Sequence, residues 1–167
     1  MVDRLVHKLA EAVFDIGGNV YFVGGYVRDE YLNRDNKDID IEVYGISSEQ
    51  LKCICQKFGN VDEIGASFGI LKIKGIDLDI AMPRIERKMG NKHTDFSISV
   101  DPYMSTKEAS KRRDFTINAL MKHVLSGEVI DHYGGLNDLN NKIIRHINDE
   151  TFIALSCSLL FAFNYFL

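Results

Sequence analysis

The chain has 167 residues, 46% hydrophobic and 26% charged, the size and balance of one soluble globular domain with at most a short appendage. Its formal net charge of -4 excludes a global basic field, so a nucleic-acid partner has to meet a local patch or a surface outside this chain. Cys53, Cys55 and Cys157 make no zinc-like spacing with the histidines and read as free thiols of a cytoplasmic protein, with Cys53 and Cys55 on different faces of a helix.

In chain order, Asp3, Arg4, His7, Lys8 and Glu11 interrupt any apolar stretch at the start, which excludes a signal peptide there. Leu5, Leu9, Ala12 and Val13 recur at helical spacing, predicting an amphipathic helix over 3–15 closed by Gly17-Gly18, with His7 on its surface. A strand follows over 20–23, then Gly24-Gly25, a helix over 26–33 and a strand over 38–44. A double glycine permits a tight turn with no side chain between backbone N–H groups and a ligand. A helix start favours anions, and Arg28 lies one turn on, so Gly24, Gly25 and Arg28 are candidate phosphate contacts. In the next strand, Asp38 and Asp40 project to one side, their Cα atoms roughly 7 Å apart, while Ile39, Ile41 and Val43 face the core. Two carboxylates side by side on a buried strand are costly unless a cation sits between them. A hard divalent ion such as Mg²⁺ is the obvious candidate. Glycine corner and paired acids together suggest a nucleoside triphosphate held as a metal complex; each alone is also what an ordinary strand-turn-helix or a surface strand carries.

Ser47 or Ser48 can cap a helix that runs to about Phe58, where Gly59 stops it. Residues 61–82 read as strands separated by glycine turns, with a strand before Gly75 and another over Ile76–Ile80. Asp77 and Asp79 alternate there with Ile76, Leu78 and Ile80; if this strand lies beside 38–44, a third acid joins the first two. From Arg84 to Tyr103 the pattern breaks down, and Arg84, Arg87, Lys88, Lys92 and His93 cluster around Gly90. A basic irregular loop of this length is uncommon unless functional or disordered, and it reads as a mobile loop near a triphosphate or an RNA end, or as a solvated surface loop.

Lys111-Arg-Arg-Asp-Phe-Thr-Ile-Asn-Ala-Leu120 follows. Arg112 and Arg113 carry permanent charge in a fork that suits phosphate oxygens. Asp114 can hold an arginine or accept from a ribose hydroxyl, and Asn118 can bond ribose or a backbone group. Phe115, Ile117 and Leu120 anchor the segment in the core. Residues 123–131 read as a hairpin around Ser126-Gly127. Asp131-His-Tyr-Gly-Gly-Leu-Asn-Asp-Leu139 and Ile143-Ile-Arg-His146 complete the pattern; the glycines make a turn, Leu136 and Leu139 pack a short helix, Arg145 either forms a salt bridge or reaches the site, the salt bridge being favoured, and His132 and His146 are structural.

Gly24-Gly-Tyr-Val-Arg-Asp29 followed by Asp38-Ile-Asp-Ile41 resembles the GGxVRD…DxDh signature of the nucleotidyltransferase head of bacterial-type (class II) CCA-adding enzymes and poly(A) polymerases. The string Arg112 to Leu120 resembles that family's RRDFTINAL motif in full, Asp79-Ile-Ala-Met-Pro-Arg84 resembles its acid-then-arginine segment, and residues 131–145 resemble the segment that closes the head. The resemblance covers about residues 1–148. It implies an α/β (α+β) fold of the polymerase β-like nucleotidyltransferase type, a mixed sheet of about five strands with helices mainly on one side. It implies catalytic and metal-holding roles for Asp38, Asp40 and Asp79, and nucleotide contacts from Gly24, Gly25, Arg28, Arg112, Arg113, Asp114 and Asn118. The implied cofactor is a pair of Mg²⁺ ions about 4 Å apart, the substrates CTP or ATP, and the partner the 3′ end of an RNA, a tRNA above all.

The resemblance lapses after the head. The family continues into a helical neck whose acid-Asp-Pro-Leu-Arg element reads the base of the incoming nucleotide. Residues 149–167 take that place here, and anchored on Phe152 the acid falls at Leu155, the proline at Ser156, and the arginines at Ser158 and Phe161. Phe152–Leu167 is uncharged but shorter than the about 20 residues of a membrane span. It reads as an apolar helix that packs on the head or on a partner, an association surface or an aggregation risk. A truncated or frame-shifted reading of a longer gene would produce the same stretch. Two functions therefore stand: an active head that adds nucleotides to RNA, or a head that binds metal and nucleotide but acts as an interaction module through 151–167.

Overall fold

The computed structural model describes residues 2–36, 38–63, 69–88 and 96–148. The neck reading for 149–167 and the tip of the basic loop, 89–95, lie outside them. In order the elements are α1 (Val2–Phe14), β1 (Asn19–Val23), α2 (Gly25–Tyr31), β2 (Ile39–Tyr44), α3 (Ser48–Gln56), β3 (Val61–Glu63), β4 (Ile70–Ile73) and β5 (Leu78–Ala81). Then come β6 (Arg84–Lys88), β7 (Phe96–Val100), α4 (Thr106–Lys111), a 3-10 turn over Thr116–Asn118, β8 (Met121–His123), β9 (Val129–Ile130) and α5 (Gly135–Asn140).

Seven strands form one mixed sheet in the order β3-β4-β5-β2-β1-β8-β9. Among the described residues only β2 and β5 pair in parallel; every other neighbour in the sheet is antiparallel. Parallel neighbours need a long crossover, and α3 with the β3–β4 ribbon supplies it. The sheet is wider than the expected five strands because the short pieces β3 and β9 extend its two edges. Period-2 alternation sets its faces. Val20, Phe22, Ile39, Ile41, Val43, Leu78 and Ile80 point to one face, where α1 and α3 cover them with Val6, Leu9, Val13, Leu51, Ile54 and Cys55. The opposite face carries Asp40, Glu42 and Tyr44 along β2, and α4 seals part of it with Ala109 against Val23, Tyr44 and Met121.

Local chemistry fixes the element ends. Ser47, rather than Ser48, caps α3: its side chain accepts from Gln50 N–H while the Gln50 side chain accepts from Ser47 N–H, a reciprocal capping box. Within α3, Cys53 is exposed and Cys55 buried, as the spacing predicts, and burial pushes the Cys55 thiol up to about 12. The region from Arg84 to Tyr103 departs from the irregular loop expected of it. Its described parts are a two-stranded antiparallel ribbon, Arg84↔Val100 through Lys88↔Phe96. The alternation in Phe96-Ser-Ile-Ser-Val100 is the strand signal that the basic cluster obscured. The hairpin around Ser126-Gly127 forms as expected, with His123 N–H bonded to Glu128 O at 2.8 Å.

The closing segment clamps the arginine-rich string from behind. Asp138 is 2% exposed; Arg145 Nε and Nη2 donate to its two oxygens at 3.1 Å each, and Thr116 Oγ1 donates at 2.7 Å. Arg145 O in turn accepts from Thr116 N–H at 2.9 Å. Gly135 touches the same turn so closely that a Cβ there would lie 2.3 Å from Thr116 O, so no larger residue fits. The Arg145 hydrogen bonds above all hold the Asp138 carboxyl below its ordinary value. A carboxyl lowered by folding contributes stability above its unfolded value, near pH 4, and loses it as the pH falls below that toward the folded value. Urea midpoints measured below about pH 4 should therefore fall more steeply in the parent chain than in an Asp138→Asn variant, whose acid limb is flattened.

Candidate nucleotide site

The parallel register of β2 on β5 sets Asp40 directly beside Asp79, and the antiparallel register of β5 on β4 sets Lys72 beside Asp79. Three charged side chains thus stand abreast on one face of the sheet. Lys72 Nζ is 2.5 Å from Asp79 Oδ1, and both side chains are more than a third exposed. Asp38 lies one residue before β2 and is exposed; its N–H donates to Asn36 Oδ1 at 2.9 Å, so the turn rather than the strand orients it. Burial above all raises the Asp40 carboxyl; Arg113 pulls it back down, and neighbouring Asp79 and Asp38 push it up again. Asp79 and Asp38 are thus both near enough for Asp40 to feel their charge. Asp77, the other acid of its stretch, is exposed and precedes the strand.

The glycine corner stands next to these acids. Gly24 has φ 68 and ψ -135, a conformation open essentially to glycine alone, and it turns β1 into α2. A Cβ at Gly24 would lie 3.6 Å from Arg113 Nη1, and one at Gly25 would lie 3.3 Å from Arg28 Nη2. Arg113 therefore flanks the corner, and Arg28 lies beneath it. Arg28 is 6% exposed and fully engaged: Nε donates to Asp29 Oδ1 at 2.9 Å, Nη2 to Asp29 Oδ2 at 3.1 Å, and Nη1 to Asn118 Oδ1. Asn118 Nδ2 donates to Asp114 Oδ1 at 2.9 Å, which also accepts Phe115 N–H at 2.7 Å. On the other side Asn36 Nδ2 donates to Asp29 Oδ2 at 2.7 Å. One hydrogen-bonded chain thus runs Asp114–Asn118–Arg28–Asp29–Asn36–Asp38 and ties three separated motifs into a single scaffold.

The sequence-based candidates divide accordingly. Gly25, Arg28, Asp38 and Asp40 line one opening, with Asp79 beside Asp40 on the next strand and Arg113 beside Gly24. Asn118 links Arg28 to Asp114, and Asp114 holds a backbone and an amide group rather than an arginine. Arg112 turns away from its neighbour: its Nη2 donates to Glu42 Oε1 at 2.6 Å, whereas the Arg113 side chain forms no hydrogen bond or ion pair among the described residues. The opening is a cavity of about 370 Å³ bounded by Gly25, Arg28, Asn36, Asp38 and Asp40 among others. Among the described residues no group of three or more acids, histidines or cysteines is close enough, as the side chains lie, to hold an ion, and Lys72 is the cation at Asp79. The donor set itself, all carboxylate oxygen, fits a hard divalent ion.

Four members of the site escaped the reading of the sequence. Glu42 shares the face of Asp40 by simple alternation, a signal that was present in Asp40-Ile-Glu42. Lys72 is equally readable, between Leu71 and Ile73. Asn36, two residues before Asp38, fits an Asx-turn, and Asp29 was visible as the last letter of its motif but had no assigned partner.

Residues 20–145 match the family model described as the Poly A polymerase head domain. The chain is 37% identical over 130 residues to the multifunctional CCA protein of Haemophilus ducreyi, covering 78% of this chain and 30% of that protein. It is 36% identical over 128 residues to that of Xanthomonas campestris, covering 77% and 30%. Among solved structures, it is similar to the Bacillus stearothermophilus CCA-adding enzyme in complex with CTP, with a TM-score of 0.74 and 26% identity over 94% of this chain and 37% of that one. The Thermotoga maritima CCA-adding enzyme complexed with tRNA aligns with a TM-score of 0.73 and 29% identity, over 95% of this chain and 36% of that one. The chain spans about a third of the length of these relatives.

Proposed function

This chain belongs to the Poly A polymerase head-domain family, and from that premise we propose that it is a nucleotidyl-transfer head that moves CMP or AMP from CTP or ATP to the 3′ hydroxyl of an RNA, a tRNA end above all. The 3′ oxygen attacks the α-phosphorus, the bond to the β-phosphate oxygen breaks, and pyrophosphate leaves. The observation that carries this reading is Asp40 and Asp79 abreast on paired strands, with Arg113 at the glycine corner beside them.

Asp38, Asp40 and Asp79 would hold Mg²⁺, which supplies charge neutralisation for the triphosphate and a more acidic attacking hydroxyl. The chain's own part is to place the reactants. Gly24 brings backbone close to the phosphates without a Cβ between, and the first-turn N–H groups of α2 beyond it have no carbonyl inside the helix to bond. Arg113 faces the same place with its charge free of any hydrogen-bonded partner among the described residues. Arg28, bound to Asp29 and Asn118, props the corner from below, and Asn36 orients the residue that carries the exposed acid. Lys72 balances the charge of Asp79 in the ion-free molecule.

The test is incubation of the purified chain with a tRNA lacking its 3′ end, Mg²⁺ and labelled CTP or ATP. Incorporation supports transfer by this chain. The uncharged run Phe152–Leu167 supports a second reading, a head that docks on a partner and does not act alone. Nucleotide binding without incorporation, together with a dimer or larger species on a sizing column, supports that one.

A further inference from the structure

We propose that Glu42 is a positioning residue: through its ion pair with Arg112 it fixes the end of α4 so that the next residue, Arg113, faces the glycine corner. The inference rests on the reading of that corner as a phosphate site.

Glu42 is 2% exposed, an expensive place for a carboxylate. It accepts from Arg112 Nη2 at 2.6 Å and from the Tyr44 hydroxyl at 2.7 Å. Tyr44 is itself held edge-on by Tyr21, with ring centroids 5.4 Å apart. A buried ion pair is weak evidence for stability, because apolar residues of similar volume commonly do as well or better. This pair is also imperfect: Arg112 Nε is buried with no hydrogen-bond partner among the described residues. Arg112 is the C-cap of α4, and Arg113 N–H bonds back to Ser110 O at 3.1 Å, so the chain turns at this point and sends the two arginines to different places. Glu42 lies two residues beyond Asp40 on the same face of β2. One strand therefore carries both the central acid and the anchor of Arg112, and Arg113 follows from that anchor at the turn that ends α4.

The probe is inorganic tripolyphosphate in EDTA, which reads the glycine corner and Arg113 without a metal, measured by calorimetric titration alongside thermal melting. The parent chain binds, and Arg113→Ala weakens binding on the order of ten-fold or more, the worth of a charged hydrogen bond. The combined variant Glu42→Met, Arg112→Met, Tyr44→Phe removes the pair without stranding a polar group. It should melt at or above the parent and still bind on the order of ten-fold more weakly, with Arg113 intact. Parental affinity in that folded variant overturns the proposal. If it fails to fold, Glu42→Asp serves, keeping the charge but shortening its reach; several-fold weaker binding supports the proposal and unchanged binding overturns it. A parent chain that does not bind tripolyphosphate overturns the phosphate reading and this inference with it, whereas binding that Arg113→Ala abolishes and the combined variant keeps overturns this inference alone.

Discussion

Replacing Asp40 with Asn should cut nucleotide transfer by more than about 100-fold and yet leave the ion-free chain at least as stable as the parent. The first figure follows from rank: outer partners of a metal site typically cost 10–100-fold when removed, and Asp40 is the central acid of the candidate site, not an outer partner. The second follows from sign. Burial and the neighbouring acids Asp79 and Asp38 raise the Asp40 carboxyl, which means that the fold disfavours its charged form at neutral pH. A neutral amide of the same shape removes that penalty. Melting in EDTA should therefore show an unchanged or higher midpoint, and added Mg²⁺ should raise the midpoint of the parent more than that of the variant, since an ion stabilises only the state that binds it. Full transfer activity in Asp40→Asn, or equal Mg²⁺ stabilisation of both chains, would refute the assignment of this acid.

Arg112→Ala should be among the most destabilising substitutions in the chain, about 3–5 kcal/mol by the measure of a broken buried pair, toward the lower figure because Arg112 itself is a quarter exposed. The cost arises at its partner: Glu42 stays at 2% exposure with only the Tyr44 hydroxyl to compensate its charge. Arg113→Ala should by contrast change stability within about 0.5 kcal/mol, since the side chain is only half-buried and makes no hydrogen bond among the described residues. Chemical unfolding of the two variants side by side checks the contrast, and equal losses would show that the two arginines are not divided as described. Identical neighbours in the sequence thus do opposite work.

That division marks where the sequence stopped being readable. Strand alternation put the acids of β2 and of β5 each on one face, their adjacency resting on the two strands being neighbours, and the double glycine marked a tight turn between strand and helix. The motifs also located Arg28, Asp114 and Asn118. What periodicity could not supply was the partner of each charge. Asn118 meets Arg28 only because the 3-10 turn after α4 comes to rest against α2, and Arg112 meets Glu42 only because α4 lies across β2. These are contacts between elements distant in sequence, and side-chain type alone does not choose between a phosphate and a buried carboxylate as the object of an arginine. The basic ribbon of β6 and β7 was missed for a different reason: its charges suggested a solvated loop, while half its strand signal lay in Phe96, Ile98 and Val100.

The parallel contact between β2 and β5 has a kinetic corollary. Its two strands cannot be zipped by a hairpin; the segment from Gly45 to Asp77 has to be looped out and folded over first, and such distant pairings form slowly. A ribosome releases the chain from its N-terminus, so the corner at Gly24 and the first two acids emerge long before Asp79 and before the arginine that faces them. The candidate site is therefore a late product of synthesis, and no short stretch of this polypeptide can carry it alone.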